Sequence, residues 1–195
     1  VSAVVINAHA RTATDRLVVP IGRSLARMGA TPDGLTTFGV VATLAGAAVV
    51  VSGHHLVGAL VLAVATAADA FDGTVARLGD GATPWGAFFD SVSDRVSDVA
   101  LFGAALWVVR GDAVLFTVAL VALATAMLTS YIRAKAESLG WDATVGLLER
   151  PERVILLVTG IGLGLLPVAL WVLAIGGSVT VAQRLRVVRR QAVAR

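Results

Sequence analysis

Residues 154–181 read VILLVTGIGLGLLPVALWVLAIGGSVTV, an unbroken apolar stretch of 28 residues. A helix needs about 20 residues to cross a bilayer's hydrocarbon core, so this stretch is too long for one straight span and barely enough for two. Gly160, Gly162, Gly164 and Pro167 lie near its middle and offer a break there. One helix or two decides the number of spans, and with it the side on which the C-terminal tail emerges.

Further apolar segments run over 36–53, 56–76, 86–109 and 113–132. The distribution of basic residues then chooses between the two readings. Arg11, Arg16, Arg23 and Arg27 precede the first segment, and Arg77 follows the second. Arg133, Lys135, Arg150 and Arg153 follow the fourth, and the tail carries Arg184, Arg186, Arg189, Arg190 and Arg195. With a break near Pro167, fourteen of the sixteen basic residues share one side; Arg110 lies opposite and Arg95 is intramembrane. Five spans would strand the five tail arginines outside. The positive-inside rule therefore predicts six spans, with both termini cytoplasmic in the cell membrane.

Composition sets the same class. Of 195 residues, 57% are hydrophobic and the mean hydropathy is +0.84, too apolar for a soluble domain. The expected fold is all-α: a polytopic membrane protein forming a single domain over 1–195, with a six-helix bundle over 36–190. Residues 11–30 pair Leu17, Val18, Ile21, Leu25 and Met28 with arginines, which predicts an amphipathic helix in the headgroup layer. The alternative there is an ordinary solvated basic lead-in. The N-terminal VSAVVINAHARTATDR lacks the basic start, apolar core and cleavage site of a signal peptide and is read as mature. No cysteine is present, which excludes disulfides and thiol chemistry. Fifteen of the sixteen basic residues are arginine, a compositional bias rather than a nucleic-acid surface.

Against this background, DAFDGTVARLGDGATPWGAFFDSVSD (69–94) places Asp69, Asp72, Asp90 and Asp94 across the facing ends of two apolar runs. One carboxylate at the bilayer centre costs roughly 2.5–3.5 kcal/mol on insertion scales. At about 100° per residue, Asp69 and Asp72 lie about 60° apart on their helix, and Asp90 and Asp94 about 40°. Each pair shares one face, and the short connection 77–85 makes the two helices antiparallel neighbours, so four carboxylates converge near the cytoplasmic surface. Such crowding calls for hard divalent cations, with Mg2+ as the default because it joins a few carboxylates to substrate phosphates. Two ions could clamp a diphosphate. Gly73 and Gly86 leave room beside the carboxylates for a bulky ligand, and Arg77 suits a phosphate. Plain helix-end charges would explain Asp90 at a helix start. They explain Asp69 and Asp72 badly, because anions at a helix C-terminus oppose the dipole.

The spacing Asp69-x2-Asp72-Gly73-x2-Ala76-Arg77-x8-Gly86-x3-Asp90-x3-Asp94 resembles the complete signature of the CDP-alcohol phosphotransferase family, eight fixed positions over 26 residues. The resemblance implies a six-helix fold and metal-dependent transfer of a phosphatidyl or similar group from a CDP-linked lipid to an alcohol, with release of CMP. It implies that Asp69, Asp72, Asp90 and Asp94 are metal ligands for two Mg2+ ions, with Mn2+ as the alternative. It makes Asp94 also the base that deprotonates the acceptor hydroxyl. Gly73, Ala76, Arg77 and Gly86 would line the CDP-lipid site, joined by Thr83 and by DGLT (Asp33, Gly34, Leu35 and Thr36). Many relatives have Asn where this chain has Asp33. A homodimer is implied as well.

The signature does not name the acceptor. SYIRAKAES (130–138), LERPERVI (148–155) and AQRL (182–185) share the predicted cytoplasmic face. Their Arg133, Lys135, Arg150, Arg153 and Arg184 could bind an anionic acceptor. The competing reading is positive-inside anchoring, with surface pairs such as Glu149 or Glu152 with Arg153. These segments are similar to the family members that form phosphatidylinositol phosphate. That implies CDP-diacylglycerol as donor and inositol phosphate (1D-myo-inositol 3-phosphate) as acceptor, held first by Lys135, Arg153 and Arg184. Glycerol 3-phosphate, giving phosphatidylglycerophosphate, is the alternative acceptor. A small cation or proton transporter is the alternative of another class.

Overall fold

The computed structural model describes residues 29–78 and 83–193, with positions 20, 23, 24 and 27 ahead of them, and all their side chains except those of 69–78. The interfacial helix expected over 11–30 falls almost wholly outside the described residues. Among the described residues there are six helices and no strand: α1 (Pro32–Val51), α2 (His55–Leu78), α3 (Pro84–Val108), α4 (Ala113–Ser138), α5 (Arg150–Gly162) and α6 (Leu166–Val193).

The stretch 154–181 does break, and its break has an identifiable chemistry. Helix α5 stops at Gly162; Leu163 caps it, and Gly164 takes φ +71°. The N–H of Leu165 then donates to the carbonyl of Gly160 at 2.8 Å. This is a Schellman closure, which needs a left-handed residue that glycine adopts without a Cβ penalty. The carbonyl of Leu165 accepts from Ala169 N–H at 3.0 Å and opens α6. Pro167 falls in the first turn, where its missing N–H has no intrahelical partner to lose.

Two helices begin with the same four-residue device. Thr31-Pro-Asp-Gly34 opens α1 and Thr83-Pro-Trp-Gly86 opens α3. Thr31 Oγ1 accepts from Gly34 N–H at 3.1 Å, and Thr83 Oγ1 from Gly86 N–H at 2.9 Å. Each is a threonine N-cap followed by proline at the first helical position. Helix α4 is capped by Asp112 Oδ1, which accepts from Val114 and Leu115 N–H at 2.9 and 3.0 Å.

The chain forms two compact units. The first comprises Val1–Ala42 and Val64–Asp94, the second Thr43–Ala63 and Arg95–Arg195. In the second unit α6 packs against α4 and α5, around Phe102, Leu157, Leu170 and Leu173. Small residues let its backbones approach. A Cβ on Gly58 would sit 2.5 Å from Val50 Cγ2, and one on Gly160 would sit 2.6 Å from the Ala169 Cβ. Such contacts are the main source of association between helices in lipid, where burial of apolar surface gives little.

Helices α1, α4 and α6 are long and apolar enough to cross a membrane. Helices α2 and α3 have the length, but Asp69, Asp72 and Arg77 interrupt the one and Asp90, Asp94, Arg95 and Asp98 the other. Helix α5, with 13 residues, reaches about 20 Å at 1.5 Å per residue, short of a ~30 Å hydrocarbon core. Leu120, Leu128, Trp171 and Ile175 are exposed, as expected of faces turned to lipid tails.

Candidate functional site

The first unit carries the acidic motif. Asp69, Asp72, Gly73, Ala76 and Arg77 lie on the last turns of α2, and their side chains are outside the described residues. Asp90 and Asp94 follow one another by a single turn of α3, both half-buried. No group of three or more metal-ligating side chains occurs among the described residues, because two members of the expected four lie beyond them. The donor chemistry fits a hard divalent cation: the motif supplies carboxylate oxygens and the chain has no thiol.

The two capped helix starts meet near the acidic pair. A Cβ on Gly86 would lie 3.1 Å from Thr83 Oγ1 and 3.7 Å from Asp33 Oδ1, and one on Gly34 would lie 2.9 Å from Thr31 Oγ1. Glycine at the third helical position thus lets each cap hydroxyl close, and at Gly86 it keeps open a gap beside the Asp33 carboxylate. The helix starts also present N–H dipoles, which favour an anion. Thr83 has a structural duty that its sequence context did not reveal. Thr36 is buried, and its hydroxyl donates to the Pro32 carbonyl at 3.0 Å. Gly34 and Leu35 complete the first turn of α1.

The second unit carries the basic residues and brings two of the expected five to one carboxylate. Asp98 is buried in α3. Its Oδ1 lies 3.4 Å from Arg150 Nε, and its Oδ2 lies 3.9 Å from an Arg153 terminal nitrogen. Arg95 adds a third favourable charge. Arg153, buried too, feels repulsion from Arg95, Arg150 and Arg184. Three guanidiniums therefore surround one carboxylate. Asp98 Oδ2 and Arg153 Nε are buried without a hydrogen-bond partner, which in a polar pocket signals room for a water or ligand.

Arg184 is buried and donates from Nε to the Val145 carbonyl at 2.8 Å and from a terminal nitrogen to the Thr129 carbonyl at 2.7 Å. Its other terminal nitrogen approaches Glu149 at 4.0 Å. Arg133 and Lys135 remain exposed near the end of α4, with Arg133 paired to Glu137 at 2.9 Å. The surface pairing of Arg153 with Glu149 or Glu152 is corrected: Arg153 is buried and its partner is Asp98, while Glu149 faces Arg184. The sequence leaves the role of Asp98 open, offering only Arg95 as a counter-charge for Asp94 or Asp98. Its partners Arg150 and Arg153 lie far along the chain, where local spacing gives no signal.

A sequence model of the CDP-alcohol phosphatidyltransferase family matches residues 29–186. The phosphatidylinositol phosphate synthase of Mycobacterium marinum is 39% identical over 188 residues, covering 90% of this chain and 80% of that protein. That of Streptomyces avermitilis is 37% identical over 203 residues, covering 95% and 83%. The crystal structure of Mycobacterium tuberculosis phosphatidylinositol phosphate synthase with CDP-DAG bound has a TM-score of 0.81 and 38% identity, over 89% of this chain and 94% of that one. The same synthase in complex with manganese and citrate gives a TM-score of 0.81 and 37% identity, over 88% of each chain. The chain belongs to the CDP-alcohol phosphatidyltransferase family. It is an integral membrane enzyme of that type, a transferase of phospholipid biosynthesis.

Proposed function

We propose that this enzyme transfers the phosphatidyl group of CDP-diacylglycerol to a hydroxyl of inositol phosphate, giving phosphatidylinositol phosphate and CMP. The observation that carries the acceptor assignment is buried Arg153, whose Nε lacks a hydrogen-bond partner. A buried guanidinium with an unfilled donor suits an anionic group better than a neutral polyol, and the relatives' phosphatidylinositol phosphate synthase activity supports the same acceptor. The relatives' activity and the CDP-DAG held by one of them support the donor.

In this reading Asp69, Asp72, Asp90 and Asp94 would hold two divalent cations, Mg2+ by default, and the manganese of a relative supports divalent metal use. Bound there, such ions would offset the carboxylates' mutual repulsion and polarise the diphosphate. Asp94 accepts the proton of the acceptor hydroxyl, the freed oxygen attacks the β-phosphorus, and the bond to CMP breaks. Arg77 meets the charge that develops on the phosphates. Asp33, Gly34, Leu35, Thr36, Gly73, Ala76, Thr83 and Gly86 line the CDP-lipid site. Lys135, Arg153 and Arg184, then Arg133 and Arg150, face the acceptor phosphate.

The same proposal has six spans in one domain, the site and both termini on the cytoplasmic side, and a homodimer. The break at Leu163–Leu165 supports two helices in this stretch, and the positive-inside rule supports the even count that would put the arginine-rich tail beside the other basic segments. An acceptor panel tests the function. CMP release from CDP-diacylglycerol is measured with inositol phosphate, inositol and glycerol 3-phosphate, and inositol phosphate is expected to dominate. Preference for glycerol 3-phosphate would replace the acceptor, and absence of metal-dependent CMP release would sink the chemistry.

A further inference from the structure

Residues 139–149, between α4 and α5, are fastened to one face of α6 at three heights. Gln191 grips Asp142 twice: its Oε1 accepts from the backbone N–H at 2.9 Å and its Nε2 donates to the backbone carbonyl at 2.6 Å. Arg184 Nε donates to the Val145 carbonyl at 2.8 Å. Thr180 Oγ1 accepts from the N–H groups of Leu147 and Leu148 at 3.2 and 3.1 Å, while donating to the Gly176 carbonyl at 2.8 Å. Positions 180, 184 and 191 recur at four and seven residues and so share a helix face. Close approach supports the fastening: a Cβ on Gly146 would lie 2.5 Å from Thr180 Cγ2, and one on Gly176 would lie 2.5 Å from Leu148 Cδ1.

The five hydrogen bonds between α6 and the segment all reach the segment's backbone. Its course is therefore set largely by α6, with the Asp142–Thr144 side-chain bonds adding local order. Its entry is equally defined, because Gly140 at φ +73° and Trp141 N–H, bonded to the Ala136 carbonyl at 2.9 Å, close the end of α4. What the segment joins gives the fastening a use. Lys135 stands in the last turn of α4, and Arg150 and Arg153 open α5.

We infer that this face of α6 positions the acceptor site, and that Gln191, which is not among the proposed ligands, is a positioning residue that sets acceptor affinity without touching substrate. This rests on the reading that the cations at the two ends of the segment bind the acceptor. Loss of Gln191 frees the segment between two groups that must hold one phosphate, so it weakens acceptor binding and leaves the donor half untouched.

The test uses the full chain in lipid nanodiscs, with Gln191→Ala and Gln191→Glu. Losing both backbone bonds is expected to raise the acceptor KM roughly five- to tenfold, while kcat and the CDP-diacylglycerol KM stay within about twofold. Amide hydrogen exchange over 140–149 is expected to quicken. Gln191→Glu keeps the bond from the Asp142 N–H and loses the bond to its carbonyl, so its KM is expected between the two. A quickened segment with unchanged acceptor KM overturns the inference, as does a parallel loss in kcat and both KM values, the mark of general destabilisation. Unchanged exchange overturns it as well. If Gln191→Ala does not fold, Gln191→Glu carries the same comparison. The KM is taken for whichever acceptor the panel selects, so a different acceptor replaces the activity assignment without affecting this measurement.

Discussion

A terminal nitrogen of Arg184 donates to the backbone carbonyl of Thr129 at 2.7 Å, joining α6 to α4 inside the second unit. The same guanidinium donates in another direction to Val145. A planar fork can serve both carbonyls at once, whereas an ammonium on a flexible stem cannot hold both geometries. Arg184→Lys is therefore expected to cost about 1–3 kcal/mol of stability despite its preserved charge. Thermal unfolding in detergent checks this, and a wild-type melting temperature would mean that the two carbonyls find other donors.

Asp98 is the buried counter-charge of Arg150 and Arg153. Removing one partner of such a group leaves uncompensated buried charge, at about 3 kcal/mol or more. Asp98→Asn should thus destabilise strongly, and Arg150→Gln on top of it should add less than Arg150→Gln alone. A double-mutant cycle reads the coupling, and additive losses would separate the two residues.

Thr83 and Thr31 cap α3 and α1 through the same Thr-Pro-x-Gly device. Thr83→Ala is expected to cost about 1 kcal/mol. Gly86→Ala places a methyl 3.1 Å from the cap hydroxyl and 3.7 Å from Asp33. It is expected to raise the CDP-diacylglycerol KM more than the acceptor KM, and the reverse pattern would move Gly86 away from the donor site.

Asp94→Asn keeps size and shape while removing the proposed base. Turnover is expected to fall by at least about a hundredfold, the usual scale of general-base catalysis, with CDP-diacylglycerol still bound. Rates are compared with binding by equilibrium dialysis at saturating Mg2+. Near-normal turnover would reassign the base.

The Thr144 hydroxyl and N–H both bond to the Asp142 carboxylate, at 2.6 and 2.8 Å, and hold its pKa below the ordinary carboxylate value. A depressed folded pKa contributes stability that is complete above the unfolded value and lost as pH falls through the folded one. Order in 139–149 should therefore persist through mild acid and weaken only below the ordinary carboxylate range. Thr144→Val should move that loss to higher pH, read by hydrogen exchange across a pH series.

The acidic motif was legible because its chemistry is local in sequence: helical spacing alone sets Asp90 and Asp94 one turn apart. The break near Pro167 was legible for the same reason, since the glycines and proline that end α5 and start α6 act on their own backbone. The basic residues were not. Arg133, Lys135, Arg150, Arg153 and Arg184 looked equivalent as cationic residues on one predicted face, and the fold separates them. Arg150 and Arg153 share a buried carboxylate, Arg184 is held by two backbone carbonyls, and Arg133 and Lys135 stay exposed.

Hydropathy and spacing by themselves thus determined an all-helical membrane protein, the place of its last break and the one-turn spacing of Asp90 and Asp94 on α3. Tertiary structure alone decided that Asp98 is a counter-ion, that Arg184 is held by two backbone carbonyls, and that Gln191 holds a segment 49 residues before it in the chain. The division has one physical cause. Periodicity and backbone punctuation act within a few residues, whereas the partner of a buried charge or amide is chosen by which helices pack together.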